Sequence, residues 1–309
     1  MSVHRVLAPA KVNLGLFLGP TRDSDHRHEL VTVMQSISLA DELTLTAAPA
    51  GVVEDEVLCP GLAGPPGANL AAAALKAFRV RTGWDAPPLR LQIDKRIPVA
   101  GGLGGGSADA AATLRLARHA SGLGDEELLL ELAAGLGADV PAQVSPGCWL
   151  ASGAGERLQA LAEPSPSFAV LVLALDAELS TAAVYAEADR LGLGRAPTAL
   201  EDRRRALLHA WRAPAPGQTP PLGQGRELLH NDLEPAAVSL CPQIADVLAQ
   251  ARRAGAELAL VSGSGPTVIG LGGAGPAAER LRGRVPGPIC ATPVGAAFAR
   301  AVTLASEGS

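Results

Sequence analysis

The chain has 309 residues, 48% of them apolar, and its 26 basic and 31 acidic residues give a formal net charge of −5. This apolar fraction is enough for the core of one large domain or two ordinary ones. The negative charge argues against a nucleic-acid surface, no uncharged apolar stretch reaches the length of a membrane span, and the N-terminal residues contain no secretory apolar segment. We therefore expect a cytoplasmic protein without nucleic-acid or membrane partners.

Apolar periodicity and turn residues predict the elements in chain order. In the N-terminal half, strands are expected over residues 6–18, 31–38, 43–47 and 89–93, and helices over residues 69–80, 108–120 and 125–136. In the C-terminal half, strands are expected over residues 168–174, 258–261, 268–271 and 296–304, and helices over residues 181–190, 233–254 and 277–281. Residues 213–225, with four prolines and three glycines, are expected to form a loop.

The order of these elements defines the fold class. Strands and helices mix without strict alternation, which predicts an α+β fold rather than a doubly wound parallel sheet. The proline-containing segment 163–166 precedes an apolar strand, so we place a domain boundary there, between residues 1–163 and residues 164–309. The four cysteines are far apart and lack metal-ligand spacing, so we expect neither disulfides nor a metal site built by the protein alone.

The most informative stretch is the glycine-rich run IPVAGGLGGGSA at residues 97–108. Five of the six residues 101–106 are glycine, and an apolar helix follows. Glycines let backbone amides approach a ligand, and a helix N-terminus attracts anions, so this pattern favours a phosphate-binding loop over an ordinary turn. The spacing fits neither the dinucleotide fingerprint nor the P-loop, because the required third glycine and the Gly-Lys-Ser/Thr ending are both missing.

Two charged residues are candidates for phosphoryl-transfer chemistry, which needs positioning and charge stabilisation. Asp139 follows a Gly-Ala break after a predicted helix, so it is either a loop carboxylate or a helix cap. Lys11 lies within an apolar strand, which favours a buried or cleft position over an exposed one. A cation nearby would keep the Asp139 carboxylate ionised.

Three stretches together resemble the motifs of the GHMP kinases, a superfamily named after galactokinase, homoserine kinase, mevalonate kinase and phosphomevalonate kinase. They are APAKVNL at residues 8–14, PVAGGLGGGSA at residues 98–108 and LVSGSGPT at residues 260–267, in the family's order and spacing. Three more stretches resemble the branch of this superfamily that acts on a cytidyl diphosphate of a sugar alcohol: HEL at residues 28–30, LGADVP at residues 136–141 and NDLE at residues 231–234. The resemblance covers nearly the whole chain.

The resemblance implies a two-domain architecture, with an N-terminal ATP-binding domain, a C-terminal ferredoxin-like domain and the active site between them. It implies a kinase that transfers phosphate from ATP to the 2-hydroxyl of its cytidyl diphosphate substrate, on the non-mevalonate route to isoprenoid precursors. Mg²⁺ is expected to be held mainly by the ATP phosphates. Monomer and homodimer both remain open.

The resemblance also implies the role of individual residues. Asp139 is expected to be the catalytic base and Lys11 its electrostatic partner. The residues expected to bind ATP are Asn69, Lys95, Pro98, Gly101, Gly102, Leu103, Gly104, Gly105, Gly106 and Ser107. Those expected to bind the substrate are Asn13, His28, Thr181 and Tyr185, with His28 and Tyr185 contacting cytosine.

The sequence departs from the family pattern at Leu175-Asp176, where relatives tend to have a proline turn, and at two further positions. Arg27 stands where many relatives have tyrosine, and Asp109 stands where some have asparagine. Two other functions remain to be weighed. A homoserine or mevalonate kinase is disfavoured by His28 and by the 231–234 stretch, and a nucleotide-binding protein without catalysis is disfavoured by the presence of both Lys11 and Asp139.

Overall fold

The computed structural model describes residues 2–60, 69–99, 101–162, 169–211, 225–283 and 287–304. Within these residues the chain forms a seven-stranded sheet and a four-stranded sheet, each covered by helices. The expected α+β fold is confirmed. The expected domain boundary at residues 163–166 and most of the expected loop at residues 213–225 lie outside the described residues. No described helix has both the length and the hydropathy needed to cross a bilayer.

The larger sheet is built on a long antiparallel hairpin. Strands β1 (Val3–Thr21) and β2 (His28–Ala47) pair along most of their length, with register shifts between Pro9 and Lys11 and between Asn13 and Gly15. The sheet is completed by β3 (Glu56–Leu58), β4 (Leu89–Asp94), β5 (Cys148–Gly153), β6 (Arg157–Ala160) and β11 (Val302–Leu304). Its main order is β11-β1-β2-β4-β3, and β5 joins β2 to β6.

One strand was wrongly expected to be two. The sequence predicted a break between residues 38 and 43, but β2 runs through it. The carboxylate of Asp41 is fully buried there, and its Oδ1 accepts hydrogen bonds from the backbone N–H groups of Arg96 and Ile97 at 2.6 and 2.8 Å. A polar residue that looks like a strand break is thus satisfied inside the strand by a neighbouring segment.

Four helices cover this sheet: α1 (Leu70–Thr82), α2 (Gly105–Ser121), α3 (Glu126–Leu136) and α4 (Val140–Val144). Helix α2 packs against β1, α1 and α4, and its buried face is a run of small and apolar residues. The cap residues at the N-termini of α1 and α3 are Asn69 and Asp125, whose side chains accept hydrogen bonds from Ala71 N and Leu128 N. These capped starts lie within one residue of the predicted boundaries.

The smaller sheet has the order β10-β7-β9-β8 and is antiparallel throughout. Its strands are β7 (Val170–Leu173), β8 (Leu258–Val261), β9 (Val268–Leu271) and β10 (Ile289–Ala291). Its helices are α5 (Thr181–Leu191), α7 (Glu234–Leu240), α8 (Gln243–Arg253) and α9 (Ala274–Leu281). Helix α6 (Pro197–Ala210), which the sequence analysis missed, packs instead against β1 and β2.

Residues 233–254 were expected to be mostly helical and are. They form two helices rather than one, because Pro242 at the junction has no N–H to continue the first helix. One further expectation in this half was wrong. The strand expected over residues 296–304 is a 3₁₀ turn at Ala296–Ala299 followed by β11, which pairs with β1.

Strand β1 connects the two cores of the molecule. Its residues Val12, Leu14 and Phe17 belong to the apolar cluster of the larger sheet, whereas Leu16 and Leu18 belong to that of the smaller one. The register shift between Asn13 and Gly15 reverses the alternation of side chains, so the even-numbered apolar residues contribute to one core before it and to the other core after it. Polar side chains of β1 therefore lie where the two layers meet.

Candidate active site

A cavity of about 640 Å³ lies between the two layers, beside β1. Nine residues that the sequence analysis singled out line it: Lys11, Asn13, His28, Gly102, Gly104, Ser107, Asp139, Thr181 and Tyr185. They come from both halves of the chain. The structure thus brings together both predicted catalytic residues, all four predicted substrate-binding residues and part of the glycine-rich loop.

Lys11 is held from within the protein. Its Nζ donates a hydrogen bond to Asn13 Oδ1 at 2.8 Å, and Asn13 Nδ2 donates in turn to Thr32 Oγ1 at 2.8 Å. The same Nζ lies 3.4 Å from Asp139 Oδ2. The lysine side chain is only 8% exposed and the aspartate side chain 39%. The Lys11 ammonium is therefore held in the wall of the cavity, and the Asp139 carboxylate is more accessible from the cavity.

Asp139 occupies the cap position before α4, yet its side chain makes no capping hydrogen bond. This answers the question that the sequence left open between a capping and a free carboxylate. The α3 helix ends at Gly137, and Asp139 follows at the turn into α4. Its carboxylate has the Lys11 ammonium as a partner and is otherwise open to a ligand.

The glycine-rich loop needs its glycines for two separate reasons. Gly102 and Gly104 have φ angles of 73° and 69°, in the region that side chains disfavour. A Cβ on Gly102 would lie 2.6 Å from the backbone oxygen of Ser262, and a Cβ on Gly104 would lie 3.0 Å from Lys11 Cγ. The loop is thus packed against both the second glycine-rich loop and Lys11.

Helix α2 begins at Gly105, three residues before the predicted start. The last glycines of the run therefore form the first helical turn, and Ser107 lies within that turn and lines the cavity. The free N–H groups and the positive end of the helix dipole make this point favourable for an anion. The missed signal is that glycine, a poor helix former, is tolerated where a phosphate is to be approached closely.

The second glycine-rich loop, residues 262–267, is held by side chains of the 231–234 stretch, which the sequence had marked only as a family signature. Asn231 Nδ2 donates to the carbonyl oxygens of Val261 and Gly263, both at 2.8 Å. Glu234 Oε2 accepts from Val261 N at 2.9 Å. Ser264, a lining residue that the sequence analysis did not select, lies with its Oγ 3.1 Å from Thr181 Oγ1.

Asp232 connects the 231–234 stretch to β1. Its Oδ2 accepts from Leu18 N at 2.9 Å, and both of its oxygens accept from the Arg195 guanidinium at 2.6 Å. The hydrogen bonds from His230 and Arg195 lower the pKa of Asp232 to about 2 despite its burial. The 231–234 stretch thus positions the loops of the site, and none of its three polar side chains lines the cavity.

His28 and Tyr185 form one wall of the cavity. Their ring centroids are 5.2 Å apart with an interplanar angle of 35°. His28 Nε2 lies 3.2 Å from Asp189 Oδ2, which fixes the imidazole ring. Burial and the nearby Asp139 carboxylate raise the pKa of Tyr185 to about 12, against the opposing effect of Arg27. The Tyr185 phenol therefore stays neutral at physiological pH.

Arg27 also lines the cavity, so the departure from the family pattern falls within the site. Its Nη2 donates to the carbonyl oxygen of Ala154 at 2.8 Å, which ties the polar loop before β2 to the turn after β5. Arg22 reinforces this link through Glu156, with 2.6 Å between Nη1 and Oε1. Thr32 and Met34 line the cavity as well, and nothing in the alternating pattern of β2 distinguished them.

Several predicted ATP-binding residues do not line this cavity: Asn69, Lys95, Pro98, Gly101, Leu103, Gly105 and Gly106. Asn69 caps α1, and Leu103 is buried. Lys95 Nζ bonds to Asp41 and lies 2.7 Å from Asp109 Oδ2. The same ammonium would lie 3.4 Å from a Cβ on Gly105, so this buried cluster supports the glycine-rich loop from beneath.

Comparisons with known proteins agree with this geometry. Residues 69–147 match the family described as GHMP kinases N terminal domain, and residues 217–286 match GHMP kinases C terminal. A 4-diphosphocytidyl-2-C-methyl-D-erythritol kinase of Streptomyces coelicolor is 44% identical over 276 residues, 86% of each chain. One of Kineococcus radiotolerans is 42% identical over 281 residues, 89% of this chain and 83% of the relative.

Solved structures give the same result. A 4-(cytidine 5'-diphospho)-2C-methyl-D-erythritol kinase superposes with a TM-score of 0.69 at 33% identity, covering 97% of both chains. A homoserine kinase from Cytophaga hutchinsonii superposes with a TM-score of 0.67 at 16% identity, covering 98% of both chains, and so shares the fold. The chain belongs to the GHMP kinases. It is a phosphotransferase with an alcohol group as acceptor.

Proposed function

We propose that this protein transfers the γ-phosphoryl group of ATP to the 2-hydroxyl of 4-diphosphocytidyl-2-C-methyl-D-erythritol, on the non-mevalonate route to isoprenoid precursors. The names of the similar proteins support this substrate. The observation that carries the proposal is the Lys11–Asp139 pair, which lies in one cavity with the glycine-rich loop and the His28–Tyr185 wall. This order matches what the transfer requires: phosphates at one end, a base in the middle and a nucleobase wall beyond it.

Asp139 acts as the general base in this proposal. Its carboxylate takes the proton of the 2-hydroxyl as that oxygen forms a bond to the γ-phosphorus, while the bond from the γ-phosphorus to the bridging oxygen of ADP breaks. Lys11 supplies positive charge beside the transferring group. Its hydrogen bond to Asn13 holds the ammonium in place, so little reorganisation is needed during the reaction.

ATP is assigned to the glycine-rich loop and its surroundings, with the predicted set from Asn69 and Lys95 to Ser107. Backbone N–H groups of this loop and of the first turn of α2 would hold the phosphates. Among the described residues no group of three or more His, Cys, Asp or Glu side chains is placed to hold a metal ion. Mg²⁺ fits here only as an ion carried by the ATP phosphates, with Asp139 and Ser107 as nearby oxygen donors, and it would neutralise phosphate charge.

The cytidyl diphosphate is assigned to the other end of the cavity. Tyr185 offers a ring face for stacking, and His28 offers ring nitrogens for the edge of cytosine. Asn13 and Thr181 lie between this wall and the loops, where the polar part of the substrate would pass. A cytoplasmic location belongs to the same proposal, and the oligomeric state stays open between monomer and homodimer.

The proposal is tested by measuring ADP release in a coupled assay with Mg²⁺ and saturating ATP. The acceptors are 4-diphosphocytidyl-2-C-methyl-D-erythritol, homoserine and mevalonate, each offered separately. We expect substrate-dependent ADP release with the first alone, and its loss in the Asp139→Asn variant. Release with homoserine or mevalonate, or with none of the three, would contradict the proposed substrate.

A further inference from the structure

A second cavity, of about 520 Å³, lies at the opposite end of α2 from the candidate active site. It is bounded by the last turns of α2, the loop into α3, the end of α4 and the segment 296–301 near the C-terminus. None of its lining residues lines the candidate active site. The helix rises 1.5 Å per residue, so Arg118 in this cavity is about 16 Å along the axis from Ser107 in the other.

The lining of this second cavity is basic. Arg115, Arg118, His119 and Arg300 line it, and none of its described lining residues is an aspartate or glutamate. None of the three arginines has a carboxylate within 4.0 Å in the part of the chain that the structure describes. In a chain of net charge −5, three such arginines at one concave site give a local positive field that no described carboxylate within 4.0 Å offsets.

Arg115 forms the fixed part of this cluster. Its Nη2 donates to Leu7 O at 3.0 Å, and its Nη1 donates to the carbonyl oxygens of Gln143 and Val144. These acceptors are neutral, and its Nε is buried without a partner among the described residues. Burial lowers the pKa of Arg115 to about 9, so the guanidinium remains charged at neutral pH. Backbone bonds thus hold in one orientation a cation that has no carboxylate partner among the described residues.

Helix electrostatics explains only part of the cluster. Basic residues in the last turn of a helix are favoured by the negative end of its dipole, and this accounts for Arg118 and His119. It does not account for Arg300, which comes from a distant segment. Arg115, one turn further in, donates to the carbonyl oxygens of Gln143 and Val144, the last residues of α4, and so also caps that helix. The side chains of Arg118 and Arg300 make no hydrogen bond within the described residues and are exposed, so they are free to close on a ligand.

We infer that this cavity is a binding site for a compact polyanion of the diphosphate class, separate from the site for ATP and its acceptor. Guanidinium groups match phosphate oxygens in pairs, and a concave site with several of them favours an anion of more than one charge. The cavity is too small for a nucleic-acid duplex and large enough for a diphosphate with a small substituent.

The test uses isothermal titration calorimetry with inorganic diphosphate, without Mg²⁺ and at constant ionic strength. It compares the wild-type protein with an Arg118→Gln/Arg300→Gln variant. The matched control is Arg157→Gln/Arg253→Gln, which removes the same charge from two exposed arginines that lie outside the cavity and have no carboxylate partner among the described residues. Because none of these four side chains makes a hydrogen bond in the described structure, all variants should keep the wild-type Tm.

We expect the cavity variant to lose one class of diphosphate site, or to bind there at least about tenfold more weakly, since charge-assisted hydrogen bonds are lost. The control should bind like the wild type. Diphosphate that binds the glycine-rich loop gives a signal common to all three proteins and cancels in the comparison. Equal binding by the wild type and the cavity variant, or an equal loss in the control, would overturn the inference.

Discussion

Lys11 Nζ lies 3.4 Å from Asp139 Oδ2, and the lysine is the more buried member of the pair. The cation comes from β1, between the two apolar cores, and the carboxylate comes from the turn into α4. This asymmetry supports the roles proposed for the two residues. The exposed carboxylate can meet a hydroxyl, whereas the buried ammonium can act only on what is already in the cavity.

The Asp139→Asn variant should keep its fold and lose its turnover. We expect kcat for ADP release to fall by roughly 10²–10⁴, the usual effect of removing a general base. The Kd for ATP should change little, because Asp139 makes no capping hydrogen bond and the loop does not depend on it. Steady-state kinetics and ATP titration measure the two quantities. Asp94→Asn, at an exposed carboxylate at the end of β4, is the control. Near-normal turnover of Asp139→Asn would exclude Asp139 as the base.

Substitution of Lys11 tests whether the site needs a compact charge. Lys11→Met should lower kcat by about 10²–10³, since it removes charge at the reacting centre. Lys11→Arg should not restore kcat. Gly104 packs so closely against the Lys11 side chain that a Cβ built on it would lie 3.0 Å from Lys11 Cγ, and this leaves little room for a planar guanidinium. Lys76→Arg, at an exposed lysine of α1, should behave like the wild type. Full activity of Lys11→Arg would refute this geometry.

Two glycines of the same loop should respond differently to alanine. Gly102→Ala should raise the KM for ATP at least about tenfold, because it combines a φ of 73° with a Cβ 2.6 Å from Ser262 O. Gly106→Ala should be mild, since its Cβ would meet only Leu70 Cδ1 at 3.8 Å, and alanine favours the first turn of α2. Equal ATP kinetics for the two variants would show that the packing of the loop does not matter for ATP.

The sequence predicted the local parts of this site well, because each part is written in a short stretch. The glycine-rich run, the helix after it and the break that releases Asp139 all follow from residues that are neighbours in the chain. Asn69 and Asp125 likewise marked the starts of their helices, since a cap acts within three residues.

Contacts between residues that are far apart in the sequence could not be predicted in this way. A strand break was expected between residues 38 and 43. The sequence does not show that Asp41 is satisfied within β2, because its partners, the N–H groups of Arg96 and Ile97, are far away in the chain. Helix α6 was missed because nothing local shows that its apolar residues pack on the β1–β2 hairpin. Asn231 was noticed only as a family signature, although its bonds to Val261 and Gly263 give it a definite structural task.

The buried Lys95–Asp41–Asp109 cluster predicts a pH-dependent stability. Asp41 accepts two backbone hydrogen bonds, whereas Asp109 has no backbone donor among the described residues and is the carboxyl whose pKa is raised. Burial raises the pKa of Asp109 to about 7, against the opposing effect of Lys95, from an unfolded value near ~4. A carboxyl whose pKa is higher in the folded state than in the unfolded state stabilises the folded protein fully at pH values below its unfolded pKa. This stabilisation is lost as the pH rises towards the folded pKa of about 7.

We therefore expect the wild-type Tm to fall between pH 5 and pH 8 by more than that of Asp109→Asn, whose side chain does not titrate. The difference in unfolding free energy should be on the order of a few kcal/mol. Thermal unfolding at several pH values measures it, with Asp94→Asn as a control for the loss of an exposed carboxylate. Parallel Tm curves for the wild type and Asp109→Asn would show that Asp109 remains ionised throughout.

The His28–Tyr185 wall predicts which substrate is affected by each variant. Tyr185→Ala removes a stacking surface worth about 1–3 kcal/mol, by analogy with base–aromatic stacking, so the KM for the cytidyl substrate should rise roughly 5- to 150-fold. His28→Ala should act in the same direction by leaving the edge of cytosine unpaired. Tyr185→Phe keeps the ring and should stay near the wild type. The KM for ATP should remain within about twofold in all three.

These constants separate recognition of the base from a general loss of structure. Tyr185 also packs against the apolar cluster of the smaller sheet, so a destabilised Tyr185→Ala variant would lose active protein and lower the apparent kcat for both substrates together. A selective rise in one KM cannot arise in that way. If Tyr185→Ala weakened ATP and spared the cytidyl substrate, the two ends of the cavity would be assigned in reverse, and the protein would be a GHMP kinase with a different acceptor.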